Sequence, residues 1–228
     1  MRRDEPYADR SEAGRVLAHE LTAYAGRDDV VVLGLPRGGV PVAAEVAATL
    51  GAPLDVVVVR KLGVPGQPEL AMGAITAVGE TVTVVRNERV LDRAAVGREA
   101  FDGVLAAETA ELRRREELYR GDRPREPLSG RVAVVVDDGL ATGSSVRAAL
   151  AALRQQAPSR LVVAVPVGSA PSCLAVGAEA DEVVCPWMPE PFYGVGQGYL
   201  DFSQTSDDEV RAALAGTGRT RRGSPPGR

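Results

Sequence analysis

The chain has 228 residues, 45% of them hydrophobic and 25% charged, and carries a net charge of −4. This length and composition are typical of a globular protein with one sizeable α/β domain and a small appendage. The acidic balance argues against a general nucleic-acid-binding protein, and no stretch resembles a signal peptide or a membrane span. Cys173 and Cys185 lack metal-site spacing, so we expect a cytoplasmic protein with reduced thiols.

The first third of the chain alternates between helix and strand patterns. Residues 1–10 are polar and are predicted to be loose, and the apolar spacing that follows predicts a helix over 11–25. His19, the only histidine, lies within this helix and is given no role. A run of small apolar residues predicts a buried strand over 30–35, and a second helix is predicted over 40–50.

A short loop joins that strand to that helix, and its sequence is Pro-Arg-Gly-Gly at positions 36–39. Arg37 supplies positive charge, and the two glycines allow the backbone to approach a ligand closely. Alone, the pattern is also consistent with a simple tight turn. The Pro-Arg-Gly-Gly pattern therefore predicts an anion-binding loop only if a second anion-binding motif lies nearby.

A third strand, predicted over 54–59, is followed by Arg60 and Lys61. Ligands bind at the carboxyl ends of strands in open α/β sheets, so these two cations are candidates for anion binding. Lys61 is the only lysine among 27 basic side chains. A position that keeps lysine in an arginine-rich chain can require a compact ammonium group, although chance survival explains it equally well until its location is considered.

The segment over 63–73 is rich in Gly and Pro and is predicted to be a loop. Residues 74–78 and 81–85 are predicted to pair as a hairpin, and a long helix is predicted over 96–119. The arginine-rich stretch 113–125 could contact nucleic acid. Its interspersed acidic residues instead favour an ion-paired, solvent-facing surface.

The most informative stretch is VAVVVDDGLATGSS, at positions 132–145. It predicts a strand buried on both faces, then Asp137 and Asp138, then a loop of small and hydroxyl residues that opens a helix. Backbone N–H groups and the helix dipole at such a loop favour a phosphate. An Asp-Gly turn before a capped helix is the alternative, but it leaves the two carboxylates unexplained.

The two carboxylates repel a phosphate, so they must serve a different part of the ligand. Ionised carboxylates accept strong hydrogen bonds from vicinal hydroxyls, and they can also bind a divalent metal ion. Hydroxyls close to a phosphate are the chemistry of a ribose 5-phosphate. The residues therefore predict a phosphorylated-pentose site.

The segment VVVDDGLATGSS resembles the phosphoribosyl-diphosphate (PRPP) binding motif of type I phosphoribosyltransferases. It differs from a Walker A loop because no lysine follows Gly143. Gly139 stands where an aliphatic residue is more usual. Ala141 stands where 6-oxopurine members carry a carboxylate that acts on the base, so the general base is not identified.

The alternation of strands and helices predicts an α/β fold with a doubly wound, mostly parallel sheet of about five strands and helices on both faces. The resemblance adds a hood or lid subdomain. The expected organisation is a single domain over 1–215, with its core at about 30–60 and 130–185, a lid at about 61–125, a hood at about 186–215 and a disordered tail over 216–228.

Beyond the motif we expect strands over 161–167 and 182–185, a short helix over 171–176 and a last helix over 203–215. Between the last of these strands and the last helix lies an aromatic-rich segment over 187–202. It loosely resembles the base-binding segment of 6-oxopurine members, which implies that Trp187, Phe192 or Tyr193 contacts the acceptor. The same side chains could equally form a small satellite core.

The resemblance implies transfer of the 5-phosphoribosyl group of PRPP to a nitrogenous base or related acceptor, with release of pyrophosphate and dependence on Mg²⁺. A catalytically reduced, regulatory PRPP-binding module is the alternative, and a hydrolase is disfavoured because no nucleophile–histidine pair is evident. A homodimer is possible. The resemblance also implies that the loop at 36–39 binds pyrophosphate and often holds a cis peptide.

The implied site residues fall into four groups. They are Asp137, Asp138, Lys61 and Arg37 for catalysis; Ala141, Thr142, Gly143, Ser144 and Ser145 for the 5-phosphate; Arg37, Gly38, Gly39, Arg60 and Lys61 for pyrophosphate; and Asp137, Asp138 and, more weakly, Asp201 for the metal.

Overall fold

The computed structural model describes residues 5–78, 81–121 and 123–216. The predicted disordered tail lies outside the described residues, apart from Gly216 at the end of the last helix. Within the described ranges, no helix is both long and apolar enough to cross a bilayer.

The secondary structure follows the predicted alternation. The strands are β1 (Val30–Gly34), β2 (Leu54–Val56), β3 (Val59–Val64), β4 (Gln67–Val78), β5 (Thr81–Arg86), β6 (Val132–Val136), β7 (Arg160–Ala164) and β8 (Glu182–Val184). The helices are α1 (Arg10–Glu20), α2 (Gly39–Leu50), α3 (Glu88–Arg93), α4 (Arg98–Arg120), α5 (Ser144–Arg154), α6 (Ala170–Gly177) and α7 (Asp207–Gly216). Short 3₁₀ turns lie at Thr22–Tyr24 and Val195–Gly198.

Five strands form one parallel sheet in the order β2-β1-β6-β7-β8. Its central strands are continuous apolar runs because both faces are covered, as parallel sheets require. Val30 and Val32 of β1 belong to the cluster that includes α1 and α2 side chains. Val31 and Leu33 belong to the opposite cluster, with side chains from α5 and α6. The predicted doubly wound α/β fold is confirmed.

The sheet has a switch point between β1 and β6. The chain leaves β1 toward β2 on one side and leaves β6 toward β7 on the other. The two strands pair in register, with Gly34 opposite Val136, so the loops that follow them begin side by side. Ligands of open α/β sheets bind in the crevice at such a point.

The region after β2 differs from the prediction. The expected strand over 54–59 divides after Val56, and β3 begins a second, antiparallel sheet in the order β3-β4-β5. The predicted loop over 63–73 is wrong, because most of it forms the β3–β4 hairpin. Its glycines serve the hairpin: Gly66 adopts a positive φ at the turn, and a Cβ on Gly63 would lie 2.7 Å from the Pro68 carbonyl oxygen.

The arginine-rich end of α4 is an ion-paired surface, which confirms that interpretation. Arg114 and Arg115 both pair with Glu111. Arg120 reaches inward to Asp55 of β2 at 2.7 Å, and each of these side chains is only 10% exposed. Arg120 also donates to the carbonyl of Val56 at 3.3 Å, so it fastens α4 to the edge of the parallel sheet.

We predict that Arg120→Ala lowers the free energy of unfolding by about 3–5 kcal/mol, because it leaves the Asp55 carboxylate buried without its partner. Arg114→Ala is the matched control, since its ion pair is exposed and should contribute at most about 1 kcal/mol. Urea denaturation measures both variants. Equal effects would contradict the role of the inner pair.

Candidate functional site

The acidic turn lies directly after β6. Asp137 and Asp138 are both half-buried, and the Asp138 N–H donates to Oδ1 of Asp137 at 2.9 Å. Burial, together with the adjacent charge of Asp138, raises the pKa of the Asp137 carboxyl well above its usual range. Burial also raises the pKa of Asp138, and Arg10 opposes that rise. Two carboxylates are thus concentrated at the switch point.

Arg10 is a site neighbour that the sequence did not indicate. Its Nε and Nη2 lie 2.9 and 2.8 Å from Oδ2 of Asp138, 128 positions away in the chain. Its Nη1 donates to the carbonyl of Ser203 at 2.7 Å. No local sequence signal marks this arginine, because only the tertiary fold brings the three residues together.

The N-terminal segment is fixed where it is described, so the predicted loose region over 1–10 is wrong for its last residues. Tyr7 is fully buried, and its N–H donates to the Gly198 carbonyl at 2.8 Å. Its hydroxyl donates to the Pro166 carbonyl at 3.0 Å. Tyr7, a bulky aromatic residue in a polar segment, is the sequence feature that could have predicted this fixed position.

The glycine loop at 36–39 lies directly on the acidic turn, and its Pro36–Arg37 peptide is cis. A Cβ on Gly38 would lie 1.9 Å from Oδ2 of Asp138, and a Cβ on Gly39 would lie 2.9 Å from Oδ1 of Asp137. Any larger side chain would displace the carboxylates. Glycine is therefore required for the predicted pyrophosphate loop to meet the predicted ribose-binding acids.

Arg37, on the same loop, is directed toward α7. Its Nη1 lies 3.9 Å from Oδ1 of Asp207, which also accepts the Tyr119 hydroxyl at 2.6 Å. The side chain remains about one-third exposed, so the long ion pair leaves it able to reorient toward an anion.

The predicted phosphate loop, 141–145, is exposed except at Gly143. Gly143 has a φ of 71°, and α5 begins at the next residue, so the first amides of α5 have no partners within the helix. The carbonyl of Ala141 accepts the hydroxyls of Ser169 and Ser172. Because a trans peptide directs its N–H opposite to its carbonyl, the Thr142 amide is directed away from α6.

Hydroxyl groups line the same loop. Thr142 Oγ1 and Ser144 Oγ lie 3.1 Å apart on the surface. The Ser144 N–H donates to Thr142 Oγ1 at 3.4 Å, and exposed hydroxyls beside the amides of a helix N-terminus are donors that suit a phosphate monoester. The structure thus gives the loop the local geometry expected from its sequence.

The unusual glycine at position 139 has a packing explanation. A Cβ there would lie 2.4 Å from Cγ1 of Val195 and 3.1 Å from the Val167 carbonyl oxygen. Val195 comes from the C-terminal segment, so that segment fills the space that an aliphatic side chain would otherwise take. Leu140, the next residue, is buried and donates its N–H to the Val167 carbonyl at 2.9 Å.

The two cations after β2 lie within β3 and not at the edge of the parallel sheet. Arg60 pairs with Glu108 of α4, with its Nη2 at 2.6 Å from the carboxylate. Lys61 is exposed and lines two clefts, one of about 610 Å³ shared with Ser144 and one of about 630 Å³ shared with Ser145. The second sheet therefore places Lys61 beside the phosphate loop.

The candidate acceptor residues divide into two groups. Trp187 and Phe192 pack against a small cluster built on Tyr7 and Tyr199, with the Trp187 and Tyr7 ring centroids 6.0 Å apart. Trp187 and Phe192 therefore form the satellite core, which was the alternative interpretation of the aromatic-rich segment. Tyr193 is 85% exposed and is the candidate whose ring is accessible to a ligand.

The carboxylates suit a metal ion only with substrate oxygens as further ligands. Within the described ranges, no three His, Cys, Asp or Glu side chains cluster as a metal site. Asp201 is exposed, accepts the Ser203 N–H at 2.9 Å and lines a cleft of about 200 Å³ with Arg10. Asp137 and Asp138 remain the acids beside the glycine loop, and Mg²⁺ commonly uses one or two carboxylates with phosphate oxygens and water.

Comparisons with known proteins give matches over most of the chain. The family model described as "Phosphoribosyl transferase domain" matches residues 8–187. Two Mycobacterium tuberculosis proteins, named "Putative phosphoribosyl transferase MT0597" (strain CDC 1551) and "Putative phosphoribosyl transferase Rv0571c" (strain H37Rv), are each 52% identical over 208 residues, or 91% of this chain. These matches cover 46% of each relative, so the chain spans about half the length of the curated relatives it matches.

A solved structure is also similar over nearly the whole chain. The crystal structure of TT1426 from Thermus thermophilus aligns with a TM-score of 0.78 and 45% sequence identity. The alignment covers 94% of this chain and 98% of that one.

We predict that Gly139→Ala lowers the free energy of unfolding by about 1–3 kcal/mol, because its methyl group would overlap Val195. Adding Val195→Ala should recover part of that loss, and a double-mutant cycle of denaturant unfolding measures the coupling. Strictly additive losses would contradict direct packing between the two positions.

Proposed function

Since the chain belongs to the phosphoribosyl transferase domain family, we propose that it transfers the 5-phosphoribosyl group of PRPP to a nitrogenous base or related acceptor and releases pyrophosphate. The observation that carries this proposal is the contact of Gly38 and Gly39 with Asp137 and Asp138 at the switch point. It joins a candidate pyrophosphate loop to a candidate ribose site.

The 5-phosphate is assigned to the loop at 141–145, where the exposed hydroxyls and the first amides of α5 provide neutral donors. The ribose hydroxyls are assigned to Asp137 and Asp138. A ligand bound in this way spans the acidic turn and the phosphate loop, which are consecutive in the chain. Its C1′ substituent would then face the glycine loop.

Pyrophosphate is assigned to Arg37, Gly38 and Gly39, with Arg60 and Lys61 as cations from the second sheet. Mg²⁺, when bound with PRPP, would neutralise charge on the leaving pyrophosphate, and Asp137 and Asp138 would hold it together with substrate oxygens and water. The small number of protein carboxylates fits a metal that arrives with its substrate.

Departure of pyrophosphate builds positive charge on the ribose ring, as in other oxocarbenium-like transfers. Fixed carboxylates beside the ring stabilise that charge without reorganisation. The glycine loop, the acidic turn and the phosphate loop hold the reactants in place. Ala141 has no carboxylate to act on the acceptor, so the chemistry relies on positioning and on the nucleophilicity of the acceptor nitrogen. Tyr193 is the proposed stacking partner for the acceptor ring, since Trp187 and Phe192 pack in the cluster of Tyr7 and Tyr199.

A regulatory PRPP-binding module is the second candidate, and specific contacts favour it. Arg10 already pairs with Oδ2 of Asp138, and Arg60 already pairs with Glu108. A protein that binds PRPP without turnover could keep these pairs permanently. Turnover therefore decides between the two candidates.

We predict that incubation with Mg²⁺, PRPP and a panel containing adenine, hypoxanthine, uracil and orotate releases pyrophosphate with at least one base. The double variant Asp137→Asn, Asp138→Asn should keep its fold, because the changes are isosteric, and lose PRPP binding and turnover. Coupled pyrophosphate detection and calorimetry measure the two properties.

The outcomes of this experiment are distinct. PRPP binding without turnover on any base would favour the regulatory module. Wild-type affinity for PRPP in the double variant would contradict the assigned site.

We predict that Lys61→Ala weakens binding of Mg²⁺-pyrophosphate by roughly ten- to a hundredfold and weakens ribose 5-phosphate less, because loss of a charged hydrogen bond costs about 1.5–3 kcal/mol. Arg89→Ala is the matched control, since it removes a positive charge from the same 610 Å³ cleft. Calorimetry with each ligand measures the difference. A larger loss for ribose 5-phosphate would assign Lys61 to the phosphate loop instead.

A further inference from the structure

We propose that Arg10 is a positioning residue that fixes the carboxylate of Asp138 for binding the phosphoribosyl group, and that Phe202 and Ser203 hold Arg10 in place. The proposal rests on the proposed function, because it assigns a task to Asp138 only if PRPP binds at the acidic turn. It adds a residue outside the motif and outside the predicted loops.

The contact geometry supports fixation of one carboxylate oxygen. Both Nε and Nη2 of Arg10 lie within 3 Å of Oδ2 of Asp138. The same Oδ2 faces the bare Cα of Gly38. Arg10 therefore holds the oxygen that packs against the glycine loop, and it leaves Oδ1 for a ligand hydroxyl.

Several groups immobilise Arg10 itself. Its Nη1 donates to the Ser203 carbonyl at 2.7 Å, and its guanidinium carbon lies 4.2 Å from the centroid of the Phe202 ring. That ring stacks on Tyr199 at 5.1 Å, and the Tyr199 hydroxyl donates to the backbone carbonyl of Asp138. The Arg10 side chain is only 12% exposed, unlike those of ordinary surface ion pairs.

The electrostatics of the turn explain why such a residue is needed. Asp137 and Asp138 are adjacent and half-buried, so their charges repel each other in a region of reduced dielectric. A guanidinium on the outer side of Asp138 offsets that repulsion and limits the rotation of its carboxylate. Preorganised carboxylates then lose little entropy when the ribose binds.

The test is a double-mutant cycle on binding of Mg²⁺-PRPP, measured by calorimetry. Arg10→Met should weaken binding roughly tenfold in the wild-type background and cause no further loss in the Asp138→Asn background. Arg10→Lys keeps the charge but cannot place two N–H groups on one oxygen, so it should recover part of the loss. Binding of metal-free pyrophosphate should be unchanged in Arg10→Met, because only the ribose and the metal ion are assigned to Asp138.

Matched controls separate positioning from folding. Arg15→Met removes an exposed ion pair from the same helix and should leave PRPP affinity unchanged. Phe202→Ala loosens Arg10 without leaving a buried charge, so it keeps the test usable if Arg10→Met unfolds. It should weaken PRPP binding only when Asp138 is present.

Three results would overturn the proposal. Additive losses in the cycle, or an equal loss of affinity for metal-free pyrophosphate, would show that Arg10 contacts the ligand itself. Wild-type PRPP affinity in Arg10→Met and Phe202→Ala would show that Asp138 needs no positioning. Failure of the proposed function looks different, because either the wild-type protein would then not bind Mg²⁺-PRPP, or Asp138→Asn would bind it with wild-type affinity.

Discussion

The contact of the glycine loop with the acidic turn is the constraint on which the site depends. β1 and β6 pair in register, so the two loops leave the sheet side by side. They can touch only because Gly38 and Gly39 have no side chains, since a Cβ at either position would meet a carboxylate oxygen at 1.9 or 2.9 Å. The candidate site therefore depends on the strand order and on the absence of Cβ atoms at these two glycines.

Segments near the N-terminus and the C-terminus contact the acidic turn. The N-terminal segment pairs with the C-terminal segment through the Tyr7 and Gly198 backbones, and Arg10 then reaches both Asp138 and Ser203. The same C-terminal segment places Val195 against Gly139. Parts of the chain that lie far from the motif thus determine the environment of its two acids.

The second sheet carries the two candidate cations Arg60 and Lys61. The chain leaves the parallel sheet after Val56, and the β3–β4 hairpin brings Lys61 to two clefts that Ser144 and Ser145 also line. The buried pair of Asp55 and Arg120 anchors α4, which packs against this sheet. The position of Lys61 therefore depends on a sheet that is separate from the one that carries the acids.

The sequence by itself determined the parallel α/β core and the local form of the motif, because both follow from short-range patterns. Continuous apolar runs indicate strands that are buried on both faces. The loop that ends at Gly143 and the first turn of α5 carry hydrogen-bond donors of their own, directly after the acidic turn. Only the tertiary structure decided that the Gly-Pro segment forms a hairpin and that Trp187 packs in a satellite core. It alone also decided that Arg10 meets Asp138. These outcomes depend on contacts between distant residues, and neither propensity nor spacing along the chain encodes which distant partner a side chain will meet.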